Sequence, residues 1–453
     1  MRDQIKTAIQ EKLADALDAA FPVLTRREAV LPTIPGKIHA VTGMRRAGKT
    51  CYLFQCLRDA QTAGVPKERL VYFNLEDERL ATLSADDLGV IIESYYQRFP
   101  ELRRQHEVHF CFDEIQLVPG WERFIRRLLD SEKVRIYLSG SSAKMLSREV
   151  ATSMRGRAME TTITPFSFRE FLAARAIPPP PLKLTPGARA RSLFQKNLND
   201  YIATGGFPEA VAAASAGTNA DSLRTQDRDR VRLLQGYVDA VLFRDVAERH
   251  AVGNLVALRA FVRQLLRSPA GLLSISKISN DFTSRGVPAS KETLFTFLDY
   301  LQDAFLVFTF PVHARSERRR QVNPRKLYLA DHALAAAFAP AADLDRGHLL
   351  ENIVACELQR HSRDLAYVRT RGGNEVDFLA TGFDGVERLV QVAANVSDPA
   401  TLARELEALE DARTEHPHAE RWLLCESLPP SDASLPPDVH VAPLWHWLGL
   451  PRT

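Results

Sequence analysis

The sequence lacks several features that would narrow its class at once. No run approaches the ~18 consecutive apolar residues that a membrane-spanning helix needs. The N-terminus, MRDQIKTAIQEKLADAL, is charged and amphipathic, unlike a secretory signal. The cysteines are odd in number, scattered and without a C-x-x-C pair: Cys51, Cys56, Cys111, Cys356 and Cys425. Neither a disulfide framework nor a structural zinc site is therefore expected.

An excess of charge of one sign is also missing. Lysine and arginine total 59, aspartate and glutamate total 56, and the net charge is +3. This balance argues against nucleic acid coating the whole protein, but it is compatible with a local basic patch. Apolar residues make up 45% and charged residues 25% of the chain, as is typical of globular proteins. We expect a soluble, cytoplasmic protein with no membrane partner.

Residues 43–50 read GMRRAGKT and follow an apolar stretch at 38–41. This spacing is the G-x-x-x-x-G-K-[ST] pattern of a P-loop, in which backbone N–H groups converge on phosphate oxygens. Lys49 would reach the β- and γ-phosphates of ATP, and Thr50 would hold Mg²⁺. The expected nucleotide-binding residues are Gly43, Met44, Arg45, Arg46, Ala47, Gly48, Lys49, Thr50 and Cys51. We expect Cys51 to be a buried helix residue; a thiol sensitive to oxidation is the alternative.

A P-loop requires an acidic partner at the end of a neighbouring strand. The segment VHFCFDEI, about 65 residues further on in a matching βα rhythm, ends in Asp113 and Glu114. Asp113 would orient Mg²⁺ through water, and Glu114 would polarise the attacking water as a general base. The alternative is that both residues merely end a strand.

Apolar strands alternate with helical segments in the first part of the chain, which predicts an α/β fold with a parallel sheet. The predicted strands are KIHAVTG, RLVYFNLED, EVHFCFDEI and VRIYLSGSS. We expect a P-loop core at residues 1–177 and a Pro-rich linker at 178–189, because four consecutive prolines cannot continue a helix.

Five segments together resemble a prokaryotic AAA-type ATPase family: GMRRAGKT, YFNLED, FDEIQ, LSGSSAKMLSREVATSMRGRAMETTITPFSFREFL and YIATGGFPEA. Members of this family pair the ATPase core with a C-terminal domain of unknown function of the DUF 4143 type. The resemblance implies Mg-dependent ATP binding and hydrolysis on an αβα core, with a helical and winged-helix lid.

In ring-forming P-loop ATPases, a polar residue after the strand 134–138 contacts the γ-phosphate or the water. Ser141 is the candidate here, and a serine-rich turn is the alternative. Arg155 or Arg157 could supply a cation to the γ-phosphate of a neighbouring subunit, which would require a homo-oligomer. A solvated basic loop is the alternative for these two arginines.

Residues 190–340 are expected to form a helical lid and winged-helix domain, and residues 190–310 are predicted to be mostly helical. Residues 272–310 suggest two helices, a turn, a third helix and a strand, which is the order found in a winged helix. The segment after them, which we call the basic segment, contains Arg315, Arg318, Arg319, Arg320, Arg325 and Lys326. A basic wing beside a helix is a candidate surface for the phosphates of DNA. A winged helix that serves as a lid or a subunit contact is the alternative.

The tail, residues 341–453, looks like the restriction-endonuclease-like fold, whose motif is an acid, then Asp, then [DEQ]-x-Lys. Glu351, Asp377 and Gln391 occupy the first three positions, but residue 393 is Ala in place of Lys. Glu351 and Asp377 would form a doubtful second metal site, because the cation that stabilises developing charge is missing. We therefore expect a degenerate nuclease fold.

The leading interpretation is an ATPase that couples its nucleotide state to DNA or another nucleic acid. The first alternative is a slow switch or scaffold for a protein partner, and the second is a metal-dependent nuclease gated by ATP. Stimulation of ATP turnover by DNA, and nicking of plasmid DNA, would distinguish the three.

Overall fold

A computed structural model of the chain describes residues 2–141, 156–183, 187–214, 220–314, 316, 318, 320, 324–430 and 432–451. The chain divides into two compact units. Unit 1 comprises residues 1–164 and 303–305, and unit 2 comprises residues 165–302 and 306–453.

Unit 1 contains a five-stranded parallel sheet, as the alternation of strands and helices predicts. Its strands are β1 (Ile38–Thr42), β2 (Leu70–Asn74), β3 (Val108–Asp113), β4 (Val134–Ser139) and β5 (Ala158–Thr162). Their order across the sheet is β2-β3-β4-β1-β5. Every residue of β1 and β3 is buried, which agrees with the mainly apolar sequences of both strands. The carboxyl ends of β1, β3 and β4 therefore meet at one edge of the sheet.

In the part of unit 1 that the structure describes, the helices beside this sheet are α1 (Arg2–Asp18), α2 (Lys49–Thr62), α3 (Leu88–Arg98) and α4 (Trp121–Ser131). In α1, apolar residues recur every four positions at Ile5, Ile9, Leu13 and Leu17, and this face is buried in the unit's main core. Short 3₁₀ turns lie at Lys67–Arg69, Glu78–Leu80, Pro100–Leu102 and Ile115–Leu117.

Unit 2 begins with helices, and its first one lies inside the region expected to belong to the P-loop core. The helices are α5 (Phe168–Ala174), α6 (Ala188–Thr204), α7 (Pro208–Ala214), α8 (Ala220–Ala240), a π-helical stretch (Val241–Glu248) and α9 (Leu255–Leu266). Ring centroids of Phe168 and Phe171 lie 5.6 and 5.2 Å from that of Tyr201 on α6. This aromatic packing places the division at residue 164, whereas the sequence suggested residue 177.

A small helical and stranded layer follows. Its elements are β6 (Leu272–Leu273), α10 (Ile275–Ser284), α11 (Lys291–Asp303), β7 (Val307–Phe310), β8 (Arg325–Leu329) and α12 (Ala333–Phe338). The strands form an antiparallel sheet in the order β6-β8-β7. The sequence predicts three helices and a strand over residues 272–310, whereas the structure has two helices, α10 and α11, between the short strand β6 and the strand β7. A 3₁₀ turn at Ala341–Asp343 ends this layer.

The tail forms a mixed five-stranded sheet with three helices. These elements are α13 (Arg346–His361), β9 (Ser362–Arg369), β10 (Glu375–Gly382), β11 (Glu387–Ala393), α14 (Pro399–Arg413), β12 (Glu420–Cys425), β13 (Val439–Pro443) and α15 (Leu444–Gly449). The order is β13-β12-β11-β10-β9. Strands β9, β10 and β11 pair antiparallel, and β11, β12 and β13 pair parallel.

Candidate nucleotide site and a buried lysine cluster

The loop between β1 and α2 has the backbone that a phosphate cradle needs. Gly43, Arg46 and Gly48 have φ angles of 137°, 65° and 101°, so the chain turns sharply before α2 begins at Lys49. The N-cap residue of α2 is Gly48, which has no side chain that could cap the helix. Backbone N–H groups at the start of a helix favour an anion.

Lys49 is directed into this loop. Its side chain is buried, and its ammonium donates hydrogen bonds to the carbonyl oxygens of Gly43 at 3.0 Å and Met44 at 3.2 Å. The charge of Lys49 is thus held against the loop backbone on which the sequence pattern places phosphates.

Asp113 lies at the end of β3 and is the centre of a cluster of hydroxyl groups. Its Oδ2 accepts hydrogen bonds from Thr50 Oγ1 at 2.7 Å and from the Tyr72 hydroxyl at 2.6 Å. Its Oδ1 accepts a hydrogen bond from Ser139 Oγ. The structure therefore brings together the predicted pair, Thr50 and Asp113, and adds two residues that the sequence did not identify. Burial is the main reason that the pKa of Tyr72 is raised, and the Asp113 charge adds to it.

Glu114 follows Asp113 in a left-handed backbone conformation, with φ of 56°. Its N–H donates to Ser139 Oγ at 3.0 Å, and its carboxylate accepts a hydrogen bond from Gln116 Nε2. The turn thus directs Glu114 away from the strand, and Gln116 holds the carboxylate. A non-glycine residue with positive φ at a strand end is often found at functional sites.

The other predicted residues of this site, Ser141, Arg155 and Arg157, differ in how far the structure describes them and in how exposed they are. Ser141 is fully buried just after β4, where Gly140 N–H donates to the Val41 carbonyl of β1 at 3.1 Å. Arg157 precedes β5, has a side chain 40% exposed and pairs with Asp130 of the same chain. Arg155 lies outside the described residues.

Met44, Arg45 and Ala47 lie in the loop between β1 and α2. Met44 and Ala47 are buried, and the Arg45 guanidinium lies 3.9 Å from the Glu76 carboxylate. Burial is the largest cause of the raised pKa of the Cys51 thiol. Cys51 is a helix residue, as predicted, but it is half-buried where the sequence suggested a buried residue. A raised pKa lowers the reactivity of a thiol.

The basic segment is only partly exposed. Arg318 and Arg325 are exposed and Arg320 is half-buried, whereas Arg315 and Arg319 lie outside the described residues. Lys326 is buried and does not belong to an exposed surface. Its prediction as a nucleic-acid contact is wrong because residues 326–329 of β8 are all buried and the Lys326 ammonium pairs with carboxylates inside the fold.

Lys326 instead contacts three carboxylates. Its Nζ lies 2.9 Å from Glu351 Oε1, 2.9 Å from Glu375 Oε1 and 3.0 Å from Asp377 Oδ1. Burial alone would lower the pKa of Lys326, but the charges of Asp377, Glu351 and Glu375 outweigh it and the pKa is raised. The ammonium therefore stays charged, at the position between the two acids that the sequence assigned to a metal.

The two acids also have other fixed partners. Glu351 Oε1 accepts a hydrogen bond from the Tyr328 hydroxyl at 2.8 Å, and Asp377 Oδ2 accepts one from Val392 N–H at 3.0 Å. Gln391 Oε1 accepts from Asp377 N–H at 3.1 Å. Burial, followed by repulsion from Asp377, raises the pKa of Glu351. Across the described parts of the chain, no group of three or more His, Cys, Asp or Glu side chains is arranged to hold a metal ion.

Sequence comparison now identifies the class of the nucleotide-site domain. Residues 35–172 match a family model described as an AAA domain, a P-loop ATPase family, and this range contains the whole site around Lys49 and Asp113. Residues 195–345 match a Domain of unknown function (DUF8612).

Two uncharacterized proteins are related to nearly the whole chain. The protein MJ1544 of Methanocaldococcus jannaschii is 32% identical over 412 residues, which span 90% of this chain and 86% of that protein. A protein of Haemophilus influenzae is 30% identical over 364 residues, which span 80% of this chain and 83% of that protein. The chain belongs to the same family as these two proteins.

Among solved structures, the Walker-type ATPase PABY2304 of Pyrococcus abyssi matches with a TM-score of 0.41 and 15% identity, over 75% of this chain and 95% of that chain. This similarity is too low to support an inference about function. In the part of the chain that the structure describes, no helix is both long enough and apolar enough to span a membrane.

Proposed function

We propose that this chain binds ATP with Mg²⁺ and hydrolyses it at the edge of the unit 1 sheet. The observation that carries the proposal is the 2.7 Å contact between Thr50 Oγ1 and Asp113 Oδ2, directly beside the Lys49 loop. Lys49 would bind the β- and γ-phosphates. Thr50 and Asp113 would hold Mg²⁺, a hard cation that prefers oxygen ligands and that neutralises charge on the phosphates.

Glu114 is the proposed general base. Its carboxylate accepts a hydrogen bond from Gln116, and its N–H donates to the same Ser139 hydroxyl that donates to Asp113, so Ser139 holds Glu114 beside Asp113. A positioned carboxylate near the γ-phosphate would take the proton of the attacking water. Ser141, buried at the end of β4, is the proposed γ-phosphate sensor.

The test measures binding of a fluorescent ATP analogue and release of phosphate by the full chain. Lys49→Ala should abolish binding, and Glu114→Gln should keep binding but lower the hydrolysis rate by roughly a hundredfold or more. Lys133→Ala and Glu101→Gln are matched controls, because both residues are exposed in the same unit and far in sequence from the loop. Unchanged binding in Lys49→Ala would refute the proposal.

We further propose that the ATPase works as a homo-oligomer, in which Arg155 or Arg157 reaches the γ-phosphate of a neighbouring subunit. The exposed position of Arg157 supports such a role. The mass of the protein is measured with and without ATP, and ATP hydrolysis is measured for the Arg155→Ala and Arg157→Ala variants. An oligomer whose variants no longer hydrolyse ATP supports the role. A monomer with full activity refutes it.

Coupling to DNA is proposed through the exposed arginines of the basic segment. The order of the elements α9, β6, α10, α11, β7 and β8 supports a winged-helix arrangement, with Arg318 and Arg320 in the connection between β7 and β8. Replacing Arg318 and Arg325 by Ser should weaken DNA binding and reduce the slope of log K against log salt by about 0.9 for each lost phosphate contact. The Arg189 and Arg191 pair, also exposed in unit 2, is the matched control. An unchanged slope would refute this contact.

A protein partner is a second candidate, and the exposed face of α11 favours it. Phe295 is 55% exposed on this face, and the neighbouring exposed residues include Glu292 and Asp299. Acidic side chains repel phosphates, so this helix suits a protein surface better than a DNA groove. ATP turnover that is indifferent to DNA would favour this switch-like function over the coupling to DNA.

We propose that the tail has a restriction-endonuclease-like fold without nuclease activity. The position of the Lys326 ammonium between Glu351 and Asp377 supports this, because a fixed cation there competes with a divalent ion for the same oxygens. Purified protein should not nick plasmid DNA with Mg²⁺ or Mn²⁺. Nicking that disappears in Asp377→Ala would show that the tail is an active nuclease.

A further inference from the structure

Arg27 is a buried cation behind the phosphate-binding loop. It is 5% exposed. One guanidinium nitrogen donates to the carbonyl oxygen of Ala47, inside the loop, at 2.8 Å. The other terminal nitrogen donates to the carbonyl oxygen of Thr164 at 2.5 Å. One planar group thus joins two backbone segments that are more than a hundred residues apart in the chain.

The backbone of Arg27 is itself held in place. Gln55 Oε1 on α2 accepts a hydrogen bond from Arg27 N–H at 2.7 Å, and Gln55 Nε2 donates to the Arg27 carbonyl at 3.0 Å. Both contacts are buried. Arg27 therefore has a fixed position relative to α2, the helix whose first turn faces the proposed phosphates.

The start of the phosphate-binding loop, at Gly43, contacts Ile163, the residue before Thr164. Ile163 N–H donates to the Thr42 carbonyl at 2.8 Å. A Cβ atom added at Gly43 would lie 2.0 Å from the Ile163 carbonyl oxygen, so the two backbones touch. The start of the loop thus contacts Ile163, and its end is joined to Thr164 through Arg27. Thr164 is the last residue of unit 1 before the chain enters unit 2.

We propose that Arg27 is a positioning residue that fixes the phosphate-binding loop and transmits its conformation to the exit segment, residues 163 and 164. This inference rests on the proposed ATP binding at the same loop. The guanidinium is planar and rigid, so its two carbonyl acceptors cannot shift independently without loss of a hydrogen bond. If the Ala47 carbonyl oxygen shifts when nucleotide binds, Arg27 therefore shifts the Thr164 carbonyl oxygen as well.

The test uses the full chain and the variants Arg27→Ala and Arg27→Lys. Binding of a fluorescent ATP analogue should weaken roughly tenfold in Arg27→Ala, since a buried charged donor to the loop is lost. Arg27→Lys keeps the charge in a single donor centre and should recover part of this affinity. Arg26→Ala is the matched control, because Arg26 is 70% exposed, pairs with Asp59 and should leave binding unchanged.

A second measurement separates positioning from a loss of stability. Trypsin cleavage after the exposed Lys183 in unit 2 should change in rate when saturating ATP is added to the wild-type chain. In Arg27→Lys the added ATP should leave this rate unchanged, although the loop is saturated. If Arg27→Ala does not fold, Arg27→Lys decides both measurements.

The outcomes are distinct. A wild-type chain that binds no nucleotide overturns the proposed function. The role of Arg27 is overturned if the wild-type chain binds nucleotide and the Arg27→Lys variant matches it in two respects. These are the affinity for nucleotide and the change in cleavage rate that ATP causes. A wild-type chain that binds nucleotide with no change in cleavage overturns the transmission to the exit segment.

Discussion

Replacement of Lys326 by Met tests whether its ammonium holds the unit 2 cluster together. Met has a similar volume and fills the space, so the change removes the charge with little loss of packing. Glu351 and Asp377, which are both buried, would then face each other without a counter-charge. Removing one partner of a buried ion pair leaves an uncompensated charge, which is the costly part of such a substitution.

The expected loss of unfolding free energy is about 3–5 kcal/mol. Glu375 adds little to it, because its side chain is 36% exposed and its pairing is screened by solvent. Glu351 can relieve part of the cost by binding a proton, since burial and Asp377 already raise its pKa. When a carboxyl group has a higher pKa in the folded chain than in the unfolded chain, the free energy of unfolding falls as the pH rises. The difference between the variant and the wild type should therefore widen from acid to neutral pH.

Urea unfolding followed by tryptophan fluorescence measures this difference. Trp422, Trp445 and Trp447 all lie in unit 2 and report its transition. Lys196→Met is the control: Lys196 pairs with Asp200 on α6 of the same unit, but its side chain is 70% exposed, so the loss should stay below about 0.5 kcal/mol. Equal effects of the two substitutions would refute the view that Lys326 is an essential internal cation.

Three further predictions concern unit 1. Gly43→Ala should destabilise the fold and prevent nucleotide binding, because its Cβ would collide with the Ile163 carbonyl; Gly36→Ala, where the Cβ meets open space, should cost much less in thermal unfolding. Tyr72→Phe removes one hydroxyl donor to Asp113 and should lower kcat for ATP about tenfold, more than it raises KM; equal kinetics would show that this hydrogen bond is dispensable. Burial, followed by the charge of Arg135, lowers the pKa of His109 from 6.5 to about 4. The unfolded chain binds a proton in that window and the folded chain does not, so stability should fall as pH drops from 6.5 to 4, and His109→Gln should flatten this dependence in pH-dependent denaturation.

The contact between Thr50 and Asp113 in the candidate nucleotide site could be predicted from the sequence, because each residue belongs to a short continuous segment. The loop from Gly43 to Thr50 is one continuous motif, and Asp113 ends a strand that is mainly apolar and fully buried. The carboxyl ends of parallel strands meet at one edge, so a motif after β1 and an acid after β3 lie close together without knowledge of the full topology.

The supporting residues could not be predicted in the same way. Tyr72 reaches Asp113 because β2 lies beside β3, and Ser139 reaches it because β4 lies on the other side of β3. Hydrophobic periodicity identifies strands but not their order. Ser139 did carry one signal, since it is the last residue of β4 and lies at the edge where such sites form. No sequence signal pointed to Arg27, because the groups that accept its hydrogen bonds are backbone carbonyl oxygens.

The lysine that the tail motif lacks at position 393 has a counterpart elsewhere in the chain. Position 393 is Ala, which suggested a pair of acids without a cation. The cation comes from β8, a strand that precedes the tail in the chain, where alternation places Lys326 and Tyr328 on one face and both contact Glu351. A lysine that lies 2.9 to 3.0 Å from three carboxylates has its charge satisfied within the fold. It therefore differs from a lysine next to an open metal site, and the same contacts that restore the missing charge argue that it serves the stability of unit 2 rather than catalysis.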